Sequence, residues 1–364
     1  MQVPKSYCPL PFKEIYSDNN GKYKLCCHAM GSRVPVEKPF EFFQSDYMES
    51  VREHLLSGNR IYECIPCYRM EKKGGESHRH KAIKYWGTPT TDEKVSLKLR
   101  IGTNFCNLSC YMCNAKNSST RTKELYDIYG DTFLFGEPDR VIKYDQWNKV
   151  IDDIVNNIER VERIHLTGGE PLQLPKQWQL LDMIPDSAAK NISISFATNL
   201  TQLTWKDKNL DFIRNKFKDV FLGISCDHYG DKLEFIRWPI DVKKFESNLE
   251  YIKREGYAHS INVTVSILNI DDLQDIQKHY GNVSFHAVVN TPRMLSISNL
   301  PKSLKKDYLW KYRNYDEIIK SELMKDSNEL DKCWSYLDDL SVYRKINWRP
   351  LWEEFYEKIT SIRV

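Results

Sequence analysis

A regular alternation of strand-like and helix-like segments begins at about residue 95 and limits the fold more than any other feature. Six short segments are rich in β-branched and aromatic residues, as buried parallel strands are. They lie at 95–101, 163–167, 192–197, 220–225, 261–267 and 283–289. Segments with one apolar helix face separate them, at 145–160, 173–184, 204–217, 242–254 and 271–280. Strands separated by helices form a parallel sheet through right-handed crossovers.

The number of repeats sets the architecture that we expect. Six strands are too few for the closed eight-stranded barrel, so the sequence predicts an α/β protein with a partial, open (βα)6 barrel over residues 95–300. Residues 1–94 show little periodicity and hold five cysteines, which predicts a small separate domain folded around metal. Residues 301–364 are predicted to be a helical extension, with helical patterns at 308–323 and 352–362.

Charge and hydropathy exclude two broad classes of protein. Lys and Arg number 53 against 50 Asp and Glu, and the net charge of +3 argues against a strongly cationic nucleic-acid-binding protein. No apolar run reaches the ~18 residues of a membrane span. The first residues also lack the apolar centre of a signal peptide. We therefore expect a cytoplasmic protein with neither a membrane nor a nucleic acid as its partner.

The ten cysteines are unevenly distributed, because eight lie within the first 113 residues. A disulfide framework is not expected in a cytoplasmic chain whose core is large enough to stabilise it. Clustered cysteines in such a chain more often bind metal or carry out redox chemistry. The two outlying cysteines, Cys226 and Cys333, are expected to be buried thiols.

Cys106, Cys110 and Cys113 form a Cys-x3-Cys-x2-Cys motif directly after the first predicted barrel strand. In α/β barrels this edge of the sheet holds the active site. Three thiolates within eight residues can bind one face of an iron–sulfur cube and leave its fourth iron open for a ligand. On these residues alone, a zinc site that lacks one ligand and three unrelated buried thiols remain alternatives.

A second motif, Thr-Gly-Gly-Glu-Pro, ends the second predicted strand at residues 167–171. Gly168 and Gly169 allow the backbone to approach a ligand closely. Glu170 supplies a carboxylate beside them. A simple strand-to-helix turn would account for the same residues.

The cysteine loop and this glycine motif, in this strand order, resemble the radical S-adenosylmethionine (SAM) superfamily over residues 95–290. The residue before the last cysteine is usually aromatic in that family and is Met112 here. The resemblance implies that the three cysteines hold a [4Fe–4S] cluster, with SAM bound at the open iron. It also implies that Gly168, Gly169 and Glu170 bind the SAM amino group.

Polar residues near the ends of the later strands follow the order of the family's other SAM contacts. The resemblance implies such contacts for Thr198, Asn199, Ser225, Asp227 and Arg237. Arg237 would bind the SAM carboxylate, since guanidinium groups pair with carboxylates bidentately, and a surface salt bridge is the alternative. Val265, Ile267 and Asn269 fall where the family's fifth strand flanks adenine, or they belong to the core.

Four cysteines ahead of the barrel form a second candidate metal site, namely Cys8, Cys26, Cys64 and Cys67. Four thiolates complete an iron–sulfur or a zinc site. Only one of the two cysteine pairs is closely spaced, which favours iron–sulfur over a zinc ribbon.

The spacing Cys-x12-Gly-x4-Cys with a distant Cys-x2-Cys resembles the SPASM/twitch auxiliary domains of the same superfamily. The resemblance implies one auxiliary [4Fe–4S] cluster, although such domains usually follow the barrel and this one precedes it. Cys27 adjoins Cys26 and is either the ligand in its place or a spare thiol. The distance from Gly21 favours Cys26 as the ligand.

The resemblance also implies the reaction. A reduced cluster gives one electron to SAM, which splits into methionine and a 5′-deoxyadenosyl radical that abstracts a hydrogen atom from the substrate. A flavodoxin or ferredoxin would supply the electron. The auxiliary cluster would assist oxidation or modification of a peptide or protein residue, and Cys27 is a candidate hydrogen-atom donor. No other catalytic residue on the substrate side is identified.

Three alternatives stay open on the sequence. The first is dehydrogenation or rearrangement of a small metabolite, a nucleoside or a sugar. The second is a non-catalytic iron–sulfur electron carrier, against which the glycine motif counts, because a carrier needs no ammonium site. The third is a zinc-binding nucleic-acid module, against which the near-balanced charge counts.

Overall fold

The computed structural model describes residues 4–17, 22–31, 38–72, 74–88, 94–136 and 144–362. The chain divides into two compact units that interleave along the sequence. The first unit comprises Met1–Asn104, Asp139–Ala197 and Leu203–Phe221. The second comprises Phe105–Pro138, Thr198–Gln202 and Leu222–Val364.

The described residues form ten strands. They are β1 Glu14–Ser17, β2 Tyr23–Lys24, β3 Val95–Leu99, β4 Val161–Leu166, β5 Ser193–Thr198, β6 Thr204–Trp205, β7 Lys208–Asn209, β8 Asp219–Ser225, β9 Ala258–Val265 and β10 Val283–Val288. The first nine α-helices are α1 Leu10–Lys13, α2 Pro39–Phe43, α3 Asp46–Leu56, α4 Ile65–Lys72, α5 His78–Trp86, α6 Ser119–Tyr129, α7 Tyr144–Asn156, α8 Pro175–Met183 and α9 Asp186–Ala189. The remaining helices are α10 Leu210–Lys216, α11 Gly230–Ile236, α12 Val242–Arg254, α13 Leu273–Tyr280, α14 Lys302–Lys311, α15 Glu317–Leu323, α16 Leu330–Arg344 and α17 Glu353–Ile362.

The first unit contains a sheet in which the strands follow the order β5-β4-β3-β1-β2. All neighbours are parallel except β1 and β2, which form an antiparallel pair. The prediction of a mixed α/β protein with a parallel sheet is therefore confirmed. The strands β1 and β2 lie in the N-terminal segment, for which no strand was predicted. With four and two residues, they are too short to show an alternating pattern.

One face of this sheet is apolar. Ile15, Leu97, Ile164 and Ile194 lie in one row across four parallel strands, and each is at most 1% exposed. Burying a side chain of this size contributes ~1.5–3 kcal/mol to stability. This face explains why these short strands were predictable from their β-branched residues.

The opposite face carries polar side chains in two rows. Tyr16, Lys98, His165 and Ser195 form the first row, in register across β1, β3, β4 and β5. Glu14, Ser96, Arg163 and Ser193 form the second row. We call these eight residues the polar strand face. Parallel strands are ordinarily apolar on both sides, and here the polar groups bond to other side chains of the unit, as where His165 Nδ1 lies 2.9 Å from Ser195 Oγ.

The second unit contains strands in the order β10-β9-β8, and β9 and β10 are parallel. Its helical part differs from the sequence prediction in two places. The pattern at 308–323 is divided between α14 and α15, where Asp316 caps α15 by accepting a hydrogen bond from Ile318 N at 3.0 Å. The helix α16 lies inside the predicted helical extension but in neither of the two patterns named for it, because its buried face includes the charged residue Arg344.

The predicted domain boundaries, 1–94, 95–300 and 301–364, stay predictions, as does the partial barrel. No helix among the described residues is long and apolar enough to cross a membrane.

Candidate active site

The three cysteines of the Cys-x3-Cys-x2-Cys motif lie in the second unit, in an irregular loop. Backbone hydrogen bonds fix this loop between its cysteines. Ser109 N donates to Trp238 O at 2.6 Å, and Tyr111 N donates to Ile236 O at 2.9 Å. The residues on both sides of the second cysteine are thereby bound to the last residue of α11 and to the segment that follows it.

Two buried arginines hold the same loop by donating to its carbonyl oxygens, and a buried glutamate pairs with both of them. Arg344 Nη2 donates to Ser109 O at 2.6 Å, and Arg121 Nη2 donates to Tyr111 O at 3.2 Å. Glu124 pairs with both guanidinium groups, and its Oε1 lies 2.7 Å from Arg344 Nε. The three side chains are at most 1% exposed, so each charge depends on its partners. We call Arg121, Glu124 and Arg344 the buried ion-pair triad.

Sequence analysis missed this triad because its members carry no local signal. Arg344 ends α16 and lies 220 residues from Glu124 along the chain. No motif has such a spacing, and a lone arginine at a helix end is ordinarily a surface residue.

Two residues predicted to contact SAM have amide or guanidinium groups near the motif sulfurs. Asn199 Nδ2 lies 3.8 Å from Cys106 Sγ and donates to Asn107 Oδ1 at 3.0 Å. Arg237 Nη1 lies 3.7 Å from Cys110 Sγ. The second unit therefore brings the cysteine loop together with polar groups that follow β5 and β8.

Arg237 is also paired with the other predicted residue of its segment. Its Nη2 lies 2.7 Å from Asp227 Oδ2, while Asp227 Oδ1 accepts a hydrogen bond from Thr264 N at 2.8 Å. Burial by itself would lower the pKa of Arg237, but the charges of Asp227 and Cys110 raise it, so the guanidinium stays protonated. Among the described residues, the buried Nε of Arg237 has no hydrogen-bond partner.

The remaining predicted residues of the second unit take varied places. Thr198 Oγ1 accepts a hydrogen bond from Leu200 N at 3.0 Å, and Ser225 ends β8. Asn269 Nδ2 donates to Asp227 O at 3.2 Å and so supports the Arg237 partner. Val265 and Ile267 are fully buried, and their contact with adenine stays a prediction.

The glycine motif lies in the first unit, at the end of β4. Gly168 and Gly169 have φ values of 94° and 53°, in the left-handed region that glycine tolerates best. Glu170 is 1% exposed, and its Oε1 accepts a hydrogen bond from Leu172 N at 3.1 Å. The carboxylate therefore caps the short 3₁₀ turn that follows, as well as being a candidate ligand group.

The four cysteines of the second predicted metal site lie in the first unit. Burial raises the pKa of Cys8 to about 12, and the charges of Cys64 and Cys67 add to this rise. Burial raises the pKa of Cys64 to about 12, and the charge of Cys67 adds to this rise. Burial also raises the pKa of Cys26 well above its usual value, and the charge of Cys27 adds more to this rise than the charge of Cys8 does. Gly21, which completes the sequence pattern, lies outside the described residues.

Cys27 contacts different groups from those of Cys26. Its Sγ lies 3.7 Å from His78 Nε2 and 3.8 Å from Lys98 Nζ. Burial raises the pKa of the Cys27 thiol, but His78 and Lys98 together lower it by a larger amount, so the net shift of this pKa is downward. The structure thus separates the two neighbouring cysteines into two sets of contacts.

The distances between ligand atoms indicate which kind of metal site these side chains could form. Among the described residues, a single group of three or more Cys, His, Asp or Glu side chains has all its ligand atoms within 4.8 Å of one another, and it is Cys27, His28 and His78. No three of the seven motif cysteines form such a group. A tetrahedral zinc ion with Zn–S bonds of ~2.3 Å would place its sulfurs ~3.8 Å apart.

Comparison with known proteins finds one family match. Residues 101–280, just under half of the chain, match the model of the Radical SAM superfamily. The matched residues include the Cys-x3-Cys-x2-Cys loop, the glycine motif, Asn199 and Arg237.

Sequence identity to individual proteins is low. The chain is 21% identical over 260 residues to the sporulation killing factor maturation protein SkfB of Bacillus subtilis (strain 168), which covers 71% of this chain and 56% of that protein. The structure of native anSMEcpe with bound AdoMet matches with a TM-score of 0.42 and 15% identity, over 67% of this chain and 65% of that one. Streptococcus suis SuiB bound to precursor peptide SuiA matches with a TM-score of 0.37 and 15% identity, over 91% and 55% of the two chains. The chain thus spans between about half and two thirds of these relatives.

Proposed function

We propose that this chain cleaves SAM reductively to a 5′-deoxyadenosyl radical and, with an auxiliary [4Fe–4S] cluster, uses it to oxidise or otherwise modify a residue of a peptide or protein. The observation that carries the proposal is the arrangement of Asn199 and Arg237 around the sulfurs of the Cys-x3-Cys-x2-Cys loop. Both residues and the loop lie inside the region that matches the radical SAM model.

In this proposal, Cys106, Cys110 and Cys113 hold a [4Fe–4S] cluster that supplies one-electron chemistry to bound SAM. N–H donors directed at ligating sulfurs favour the reduced form of such a cluster. Asn199 Nδ2 and Arg237 Nη1 are placed to do this for Cys106 and Cys110. Arg237 Nε, which is buried without a partner among the described residues, would donate to the SAM carboxylate.

The glycine motif would bind the SAM ammonium group. The buried Glu170 carboxylate would accept hydrogen bonds from the SAM ammonium, and Gly168 and Gly169 would leave room for the ligand. Thr198, Ser225 and Asp227 complete the proposed SAM contacts, Asp227 by fixing the Arg237 guanidinium.

Glu170→Gln should weaken SAM binding by about 10- to 100-fold, since a hydrogen bond to a charged group contributes ~1.5–3 kcal/mol. Glutamine keeps an oxygen that can cap the following turn, so the fold should persist. Equilibrium dialysis of SAM against the anaerobic protein measures the effect. Glu159→Gln, at an exposed position of the same unit, is the matched control and should leave the affinity unchanged. Equal affinities of the two variants would contradict the assignment.

The auxiliary cluster would be held by Cys8, Cys26, Cys64 and Cys67. No three of these thiols are as close as a single zinc ion requires, whereas a cube of four irons keeps its thiolates further apart. The Cys27 thiol is directed to His78 and Lys98, at 3.7 and 3.8 Å. These contacts favour Cys26 as the ligand.

Iron and acid-labile sulfide should each amount to ~8 per chain after anaerobic purification, four for each cube. About 4 iron together with zinc in an all-sulfur environment would instead make the four-cysteine site a structural zinc site. It would also remove the auxiliary cluster from the proposal. Inductively coupled plasma mass spectrometry of the same sample measures both metals.

One observation supports a peptide or protein substrate. The curated relative SkfB is named a maturation protein for a killing factor. We propose that a flavodoxin or ferredoxin supplies the electron.

The substrate class can be tested with the peptides encoded beside the gene. A genuine substrate should increase 5′-deoxyadenosine formation over the peptide-free rate and should change in mass during the reaction. Stimulation by a metabolite fraction, and by none of the peptides, would contradict the peptide assignment.

A further inference from the structure

One thiol and two imidazoles form a compact group in the first unit that neither proposed iron–sulfur cluster uses. The ligand atoms of Cys27, His28 and His78 all lie within 4.8 Å of one another. Cys27 Sγ and His78 Nε2 are 3.7 Å apart. We call these three residues the Cys27–His28–His78 group.

The spacing of this group matches a single tetrahedral ion. Zinc bonds of ~2.3 Å to sulfur and ~2.0–2.1 Å to imidazole nitrogen place those two atoms ~3.6 Å apart. The separation of Cys27 Sγ from His78 Nε2 is 3.7 Å. The rings of His28 and His78 are stacked, with centroids 4.5 Å apart and planes inclined by 26°. We propose that this group binds one zinc ion and leaves its fourth coordination position open.

Local structure fixes the backbone on both sides of the proposed site. Cys27 and His28 are the central residues of a turn in which Ala29 N donates to Cys26 O at 3.2 Å. His78 is the first residue of α5, whose start is capped by Ser77 Oγ accepting from His80 N at 3.1 Å. Ser77 Oγ in turn donates to Glu71 Oε1 at 2.6 Å. The ligands are therefore positioned before any ion binds, which lowers the cost of binding.

The donor atoms select the kind of metal. Lys98 Nζ lies 3.8 Å from Cys27 Sγ, where an ammonium group favours the thiolate form that metals require. A hard cation such as Mg²⁺ binds mainly to carboxylate oxygens, and none of the three ligand atoms of this group is a carboxylate oxygen. A thiolate with two imidazoles suits zinc, and three protein ligands with one open position are typical of zinc sites that bind a further molecule.

This zinc site goes beyond the proposed SAM chemistry and does not depend on it. It assigns Cys27 a role that excludes two others, because a zinc-bound thiolate neither ligates the auxiliary cluster nor has an S–H hydrogen to donate. His28 is exposed, so an incoming ligand can reach the open position from solvent.

Zinc content and X-ray absorption at the zinc K-edge test the proposal on the full chain, purified anaerobically with zinc in the growth medium. The expected result is about one zinc per chain, with one sulfur and otherwise nitrogen or oxygen neighbours. The absence of zinc, or zinc with sulfur neighbours only, would overturn the proposal. This readout is independent of iron, so it stands whether or not the radical SAM assignment holds.

The variants Cys27→Ala and His78→Ala should each lose the zinc and keep the iron of the parent protein. His80→Ala is the matched control, because His80 lies two residues further along α5 and outside the group. The control should retain zinc. Retention of zinc in His78→Ala would overturn the proposal. Loss of iron together with zinc would also overturn it, because it would show that the histidine supports the cysteine-rich segment as a whole.

Discussion

Replacing Cys106, Cys110 and Cys113 together with alanine should halve the iron and sulfide of the protein, from ~8 to ~4 of each per chain, and reduce SAM cleavage to background. The expectation follows because the three proposed ligands of the first cluster lie in the second unit, whereas the four proposed ligands of the auxiliary cluster lie in the first. Metal analysis and chromatography of 5′-deoxyadenosine measure the two effects.

The control for this triple variant is Cys333→Ala. Cys333 is a fully buried thiol of the same unit, on α16, with no assigned ligand role. Its replacement should leave the iron content and the cleavage rate close to those of the parent. Unchanged iron in the triple variant would show that the motif cysteines hold no cluster.

Replacing Arg344 with methionine should be the most destabilising of the single substitutions considered for the second unit. It removes the hydrogen bond to Ser109 O and leaves Glu124 with one guanidinium where it had two. Breaking a buried ion pair in this way costs ~3–5 kcal/mol. The corresponding fall in Tm is about 6–20 °C. Thermal unfolding followed by tryptophan fluorescence measures it.

Arg349→Met is the matched control for this loss. Arg349 pairs with Asp338 at 2.9 Å, but both side chains are more than 40% exposed. Pairs of this kind contribute ~1 kcal/mol or less, so the control should change Tm little. Because Arg344 holds the cysteine loop, its variant should also retain less iron. Equal Tm values for the two variants would contradict the role that we give to the buried ion-pair triad.

The parallel strands could be predicted from the sequence because each of them contributes a buried apolar residue to the same row. Ile164 and Ile194 are typical, since each lies in a short β-branched segment and is buried. The strands β1 and β2 could not be found in this way. β1 has four residues and pairs in parallel with β3, which is some eighty residues further along the chain. Its place in the sheet depends on a long-range contact that leaves no periodic pattern.

The candidate site shows the same division between local and long-range information. The motif cysteines and Glu170 were identified because each belongs to a short pattern with a fixed spacing. Arg344 was missed because its partners are more than 200 residues away. His78 was also missed, and it meets Cys27 across 51 residues. Side chains that act through tertiary contacts alone are not visible in spacing.

The most direct test of the central claim is the formation of 5′-deoxyadenosine from SAM by the anaerobically purified protein under dithionite. The account predicts 5′-deoxyadenosine and methionine in equal amounts from the parent chain. It predicts only background from the variant that lacks Cys106, Cys110 and Cys113. A parent protein that contains a full complement of iron and still forms no 5′-deoxyadenosine would contradict the claim that this chain is a radical SAM enzyme.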